Sequence, residues 1–279
     1  MAGTKTLSIV LPISFLALAC IPEERLVTEL GGSLAVEDLT VLDVVVGAGD
    51  IRVEGQEGLA EISVEVRIYT QFSSCDQDEE VLDDMDFELY ANDDGEARLW
   101  VDMDDEWGGY WADVVVLLPT EMALELRDTT GDIDVSDVAS LELDDGTGDA
   151  NIERVLGDVE IEDGSGDLHI EHVGGSVQLN DDTGDIDILD VAGAVEVVDG
   201  SGDLWLEEVW SSVRIEDGTG DMDLRFIDGD AIIEDGSGDI DVRDVTGVVR
   251  IHDGSGDIHA EQVGDLEVIE DGGGEVDWD

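Results

Sequence analysis

The side chains that could do chemistry in this sequence are overwhelmingly carboxylates, and they recur at one interval. Asp145, Asp163, Asp181, Asp199, Asp217, Asp235 and Asp253 stand 18 residues apart, and Asp149, Asp167, Asp185, Asp203, Asp221, Asp239 and Asp257 repeat that interval four residues later. Carboxylates are hard oxygen ligands, so Ca²⁺ held between successive acids is one chemistry the two files could support. The pattern differs from an EF-hand loop, which places acids at alternate positions before its glycine. It also differs from the nonapeptide Ca²⁺ repeat, whose Asp falls one residue further past the glycine. Neighbouring carboxylates stacked about 4.8 Å apart repel by roughly 0.9 kcal/mol in water and about 3 kcal/mol at an effective dielectric of about 20. Summed along the files, that repulsion is comparable with the whole stability of a domain, about 5–15 kcal/mol. The expectation is therefore that backbone N–H groups, ambient salt or Ca²⁺ offset it.

The remaining reactive side chains are sparse. His169 and His259 share a station of the repeat but lie five repeats apart, and no Cys or further His joins His169 and His172 in a zinc set. From residue 148 onward the repeats carry no insertions that could build a cleft. The reading is a non-catalytic protein. Trp205 is the single large apolar residue at its outward station, and Trp210 belongs to the far side of the same repeat. Exposed tryptophans anchor glycans or proteins, so these two are the candidate surface-binding residues. Arg225 and Arg243, beside Asp223 and Asp241, read as local charge compensation.

What must position these residues is a solenoid. Gly148, Gly166, Gly184, Gly202, Gly220, Gly238, Gly256 and Gly274 keep the interval of 18, in turns of the type Asp-Gly-Ser/Thr-Gly-Asp that vary to Asp181-Asp182-Thr183-Gly184-Asp185 and Asp271-Gly272-Gly273-Gly274-Glu275. Between turns the pattern alternates with period two. Leu168, Ile170, Val173, Val177 and Leu179 are inward stations, His169 and Gln178 outward ones, and the neighbouring repeats place apolar residues at the same five stations. An 18-residue coil of two short strands and two turns predicts a parallel β-solenoid over 128–279, each strand pairing with its copy one coil away.

Residues 38–127 read as an N-terminal β cap, in which Val44–Val53 resembles one isolated coil. Longer strands are expected at 62–69, 87–90, 99–101 and 114–118, with a hairpin turn at Asp94-Gly95. Trp278 is expected to cover the last core layer. Residues 1–19 have the charged start, short apolar run and small residues of a secretory signal peptide, too short to span a bilayer. Residues 20–37 read as a tether. Cys20 stands where a bacterial lipoprotein signal places its lipidated cysteine, which leaves Cys75 a lone thiol.

With 75 acidic against 11 basic residues the net charge is −64, which excludes nucleic acid and anionic lipid surfaces as phosphate-recognised partners. At 42% hydrophobic content the chain can still bury a core.

The strand ending Leu117-Leu118-Pro119, then Leu124-Glu125-Leu126 and recurrent Gly-Asp-Ile turns, resembles a bacterial domain-of-unknown-function family labelled "putative adhesin". That resemblance implies an exported protein with β-helical repeats. Together these readings describe an acidic β-solenoid in the cell envelope, an outer-membrane lipoprotein with a structural or adhesive role toward envelope or surface glycans or proteins. A Ca²⁺-binding repeat protein is the alternative, and a β-helix acting on polysaccharide the more distant one.

Overall fold

The computed structural model describes residues 25–72, 82, 85–92, 95–103 and 109–278, with the backbone alone at Met103, Glu270 and Asp271. Apart from Leu82, which is helical, regular structure among them consists of 23 β-strands, and the chain divides into two compact units, Met1–Ala139 and Ser140–Asp279. No helix of the described residues is long and apolar enough to cross a membrane. The signal segment 1–19, Cys20, Cys75 and the central part of each acidic loop lie outside the described residues.

The first unit holds β1 (Arg25–Ala35), β2 (Val41–Val46), β3 (Ile51–Gln56), β4 (Glu61–Thr70), β5 (Met85–Ala91), β6 (Glu96–Met103), β7 (Tyr110–Pro119), β8 (Ala123–Arg127) and β9 (Ile133–Ser136). Strands β4 and β7 alternate buried and partly exposed residues, as a sheet with one face in the core requires. The four strands expected here are present, each longer than its apolar kernel. The β5–β6 hairpin is closed by the Asn92 N–H donating to the Glu96 carbonyl at 2.9 Å.

Three expectations need correcting. Residues 25–35 are no tether: they form β1, antiparallel to β4 with a bulge between Leu26 and Thr28. Gly31 and Gly32 interrupt the apolar pattern there, and the partner that orders the strand lies some 30 residues further on. The coil at 44–53 is not isolated. Strand β2 pairs in parallel with both β6 and β8, and β3 with both β7 and β9, so this coil is inserted between two that follow it in the chain. Solenoid-type parallel pairing therefore begins well before residue 128. Trp278 does not close a core layer, since it is half exposed and its backbone pairs with Ala260.

The second unit contains β10 (Leu141–Asp145), β11 (Ala150–Val155), β12 (Val159–Asp163), β13 (Leu168–Val173), β14 (Val177–Asp181), β15 (Ile186–Val191) and β16 (Val195–Asp199). It continues with β17 (Leu204–Val209), β18 (Val213–Asp217), β19 (Met222–Ile227), β20 (Ala231–Asp235), β21 (Ile240–Asp253), β22 (Ile258–Asp271) and β23 (Val276–Trp278). Even- and odd-numbered strands form two parallel ladders with an offset of 18, such as Val159↔Val177 and Leu168↔Ile186; β21 and β22 run through both, and between them the offset falls to 17 from Val248↔Asp265 to Ile251↔Val268. The expected inward residues Leu168, Ile170, Val173, Val177 and Leu179 are all at most 2% exposed. This is the parallel β-solenoid the repeat predicts.

Two backbone devices turn the corners. At the Gly-Asp turn, Gly202 has φ 153° and an added Cβ would sit 1.7 Å from the Gly184 carbonyl oxygen, so coils can stack this closely only through glycine. At the other corner the register passes from Glu153↔Glu171 to Val155↔Val173, stepping over Arg154 and His172. Both have φ near 60°, as do Asp190, Glu208, Phe226, Asp244 and Gln262 one coil after another. The extra residue resets the alternation, which is why Val155 and Val173 point inward.

Candidate functional site

The two aspartate files sit on the same turn and meet different environments. The first closes each even-ladder strand and is buried: Asp145, Asp163, Asp181, Asp199, Asp217, Asp235 and Asp253 are each at most 8% exposed. One carboxylate oxygen accepts the N–H two residues on, from Thr183 to Asp181 at 3.1 Å, Ser201 to Asp199 at 3.0 Å, Ser237 to Asp235 at 3.0 Å and Ser255 to Asp253 at 2.8 Å. The other oxygen of Asp181, Asp199, Asp217 and Asp235 is buried without a protein donor.

Burial, reinforced by the carboxylates one coil away, pushes Asp163, Asp199 and Asp235 up to about 7. Burial pushes Asp181 up to about 6 and raises Asp217, against the opposing pull of the turn amides.

The second file is exposed and linked coil to coil. Asp149 accepts the Asp167 N–H at 3.0 Å, and the same bond recurs from Asp185 to Asp167, Asp203 to Asp185, Asp221 to Asp203, Asp239 to Asp221 and Asp257 to Asp239 at 2.9–3.0 Å. The Glu275 N–H ends the series on Asp257 at 2.8 Å. Backbone N–H groups thus do offset charge, but by different routes in the two files. No group of three or more His, Cys, Asp or Glu among the described residues is arranged to hold a metal ion. His169 instead faces Asp187 at 3.1 Å and His172 faces Glu171 at 3.1 Å. Arg225 is held by Asp223, with its Nε donating at 2.7 Å, and Arg243 by Asp241, as the sequence indicated.

A separate feature lies on the corner of left-handed residues. A groove of about 530 Å³ is lined by Trp210, Phe226, Glu208, Asp228, Asp244 and Gln262, among others. Trp210 is 60% exposed and its Nε1 donates to Asp190 at 3.2 Å; Phe226 is 49% exposed. Trp205, 37% exposed between Asp187 and Asp223 on the odd ladder, does not line the groove. Sequence reasoning paired Trp210 with Trp205 and missed Phe226. The signal was available: Phe226 is the lone aromatic in a column otherwise filled by Arg154, His172, Asp190, Glu208, Asp244 and Gln262. An aromatic with φ 56° is an outlier that costs of order 1 kcal/mol or more.

Three solved structures match the chain at low identity. A "putative adhesin" from Parabacteroides merdae matches with 11% identity and a TM-score of 0.49, over 90% of this chain and 96% of its own. A "putative lipid binding protein" from Parabacteroides distasonis matches with 17% identity and a TM-score of 0.44, over 90% and 96%. A "putative adhesin" from the same species gives 12% and 0.36, over 90% and 97%. No curated protein matches the chain. The Toastrack DUF4097 family model matches residues 101–271, which span the solenoid strands, the Gly-Asp turns and both aspartate files, and the chain belongs to that family.

Proposed function

We propose that this protein is an exported surface module, anchored through lipid on Cys20, that binds a glycan without catalysing its conversion. The observation that carries the reading is the groove at Trp210 and Phe226. Two exposed aromatic faces offer apolar platforms for sugar rings, and Glu208, Asp228 and Asp244 supply acceptors for hydroxyl groups. A net charge of −64 disfavours uronic or sulfated sugars, so the ligand is a glycan without acidic residues. Retaining a bulky aromatic where asparagine or glycine would relax the backbone is what a binding residue would require.

A glycan array probed with the purified protein tests this. Binding should be lost in Trp210→Ala and Phe226→Ala and retained in Trp205→Ala. Phe226→Asn should stabilise the fold by about 1 kcal/mol while abolishing binding. Failure of any neutral glycan to bind, or binding indifferent to both substitutions, would refute the groove. Mass spectrometry of the mature N-terminus tests the anchor, since an unmodified Cys20 would remove it.

A further inference from the structure

The buried aspartates pose an electrostatic problem. Parallel register sets Asp163 against Asp181, Asp181 against Asp199, Asp199 against Asp217, Asp217 against Asp235 and Asp235 against Asp253, at a strand spacing of about 4.8 Å. One oxygen of Asp181, Asp199, Asp217 and Asp235 is committed to the amide of its own turn, and the other is buried with no protein donor. Members of the file act on one another as like charges. The charges that act most strongly on it are its own members together with Asp167 and Asp182, all carboxylates.

We propose that Asp145 through Asp253 form a proton-binding ladder in which a carboxylic acid on one coil donates its O–H to the carboxylate of the next. Register places Asp217 directly between Asp199 and Asp235, one coil away on either side. Oxygen facing oxygen across that step is attractive only when one of the two carries a proton. Each step transfers one proton from a solvent hydronium ion to one carboxylate, so that one O–H bond of hydronium breaks, one carboxylic O–H bond forms and water is released. Alternating acid and carboxylate leaves roughly half of the buried carboxyls protonated, because adjacent like charges in low dielectric cannot all ionise.

A divalent cation fits these groups poorly. Ca²⁺ requires about six to eight oxygen ligands. Here one carboxylate oxygen is already held by an amide, and the main-chain carbonyls of Asp181, Asp199 and Asp217 accept the Gly200, Gly218 and Gly236 N–H groups at 3.0 Å. A proton needs no such ligand set. The upward displacement of these carboxyls toward neutrality agrees with the geometry.

Infrared spectroscopy of the full-length mature protein in D₂O reads the ladder directly. At pH 6 the carbonyl stretch of protonated carboxylic acid should account for about three groups per chain, and it should fade as the pH is raised past about 8. Asp199→Asn should remove a substantial part of that band, whereas Asp203→Asn in the exposed file should leave it unchanged. Because the wild-type spectrum is decisive alone, the proposal remains testable if Asp199→Asn folds poorly. Absence of the band at pH 6 would overturn the ladder. So would saturable release of these protons by millimolar CaCl₂ but not by NaCl of matched ionic strength, which would assign the file to Ca²⁺ instead.

Discussion

The exposed and buried aspartate files share a residue type, an interval and a turn, yet they behave as different chemical groups. Asp203 is exposed and accepts the Asp221 N–H from the next coil at 2.9 Å. Asp199, four residues earlier, is 4% exposed and accepts the Ser201 N–H of its own turn at 3.0 Å. Repetition thus multiplies two distinct environments: an exposed file that accepts amides of the next coil, and a buried one whose proton affinity burial raises. Residue identity sets neither. Desolvation does.

The sharpest way to break the comparison is to bury a carboxylate where no turn amide awaits it. Ile188 is fully buried in β15, and Ile188→Asp should cost about 4 kcal/mol or more, collapsing the second unit in a urea titration followed by circular dichroism. Gly202→Ala tests the turn both files share. Its Cβ would meet the Gly184 carbonyl at 1.7 Å, and a loss of about 3 kcal/mol is expected from the urea midpoint.

Within the buried file, Asp199→Ala strands the Ser201 N–H and should cost about 1–3 kcal/mol, whereas Asp199→Asn keeps an acceptor there and should cost less. The pH dependence sharpens the contrast further. Asp163, Asp199 and Asp235 at about 7 and Asp181 at about 6 lie above the unfolded value, about 3.9, so between those limits the native state binds protons that the unfolded chain does not. The stabilisation they confer is complete below pH ~4 and lost as pH rises through 6–7, so melting should fall by about 5 °C between pH 5 and 8. Asp199→Asn should flatten that slope. The smallest effect belongs to the exposed file: Asp203→Ala should cost less than about 1 kcal/mol, because solvent can replace its bond to the Asp221 N–H. High NaCl should stabilise the protein by screening this file, and calorimetry in matched salts would measure it.

Much of the second unit was legible in its residues. Period-two alternation identified the inward stations, and Leu168 through Leu179 occupy them, because a solenoid strand pairs with its own copy and local pattern and register therefore agree. The first unit was less legible for the converse reason. Strand β1 finds its partner across a long stretch of chain, and the coil of β2 and β3 is inserted between coils that follow it, an order no local pattern encodes. Of the candidate binding residues, Trp210 was visible as an exposed aromatic. Phe226 could be found only by following its column at the 18-residue interval, and its left-handed backbone was evident only in the structure.

The sequence by itself determined the coil length, the core stations, the glycine corner and the sign of the protein's charge, because each follows from periodicity and composition. Only the tertiary structure decided which aspartate of each pair is buried. Both belong to the same five-residue turn, and the distinction arises when successive coils stack and withdraw one file from water while leaving the other exposed. Burial then raises the proton affinity of the inner file, a property that depends on the neighbouring coil and cannot belong to an isolated repeat.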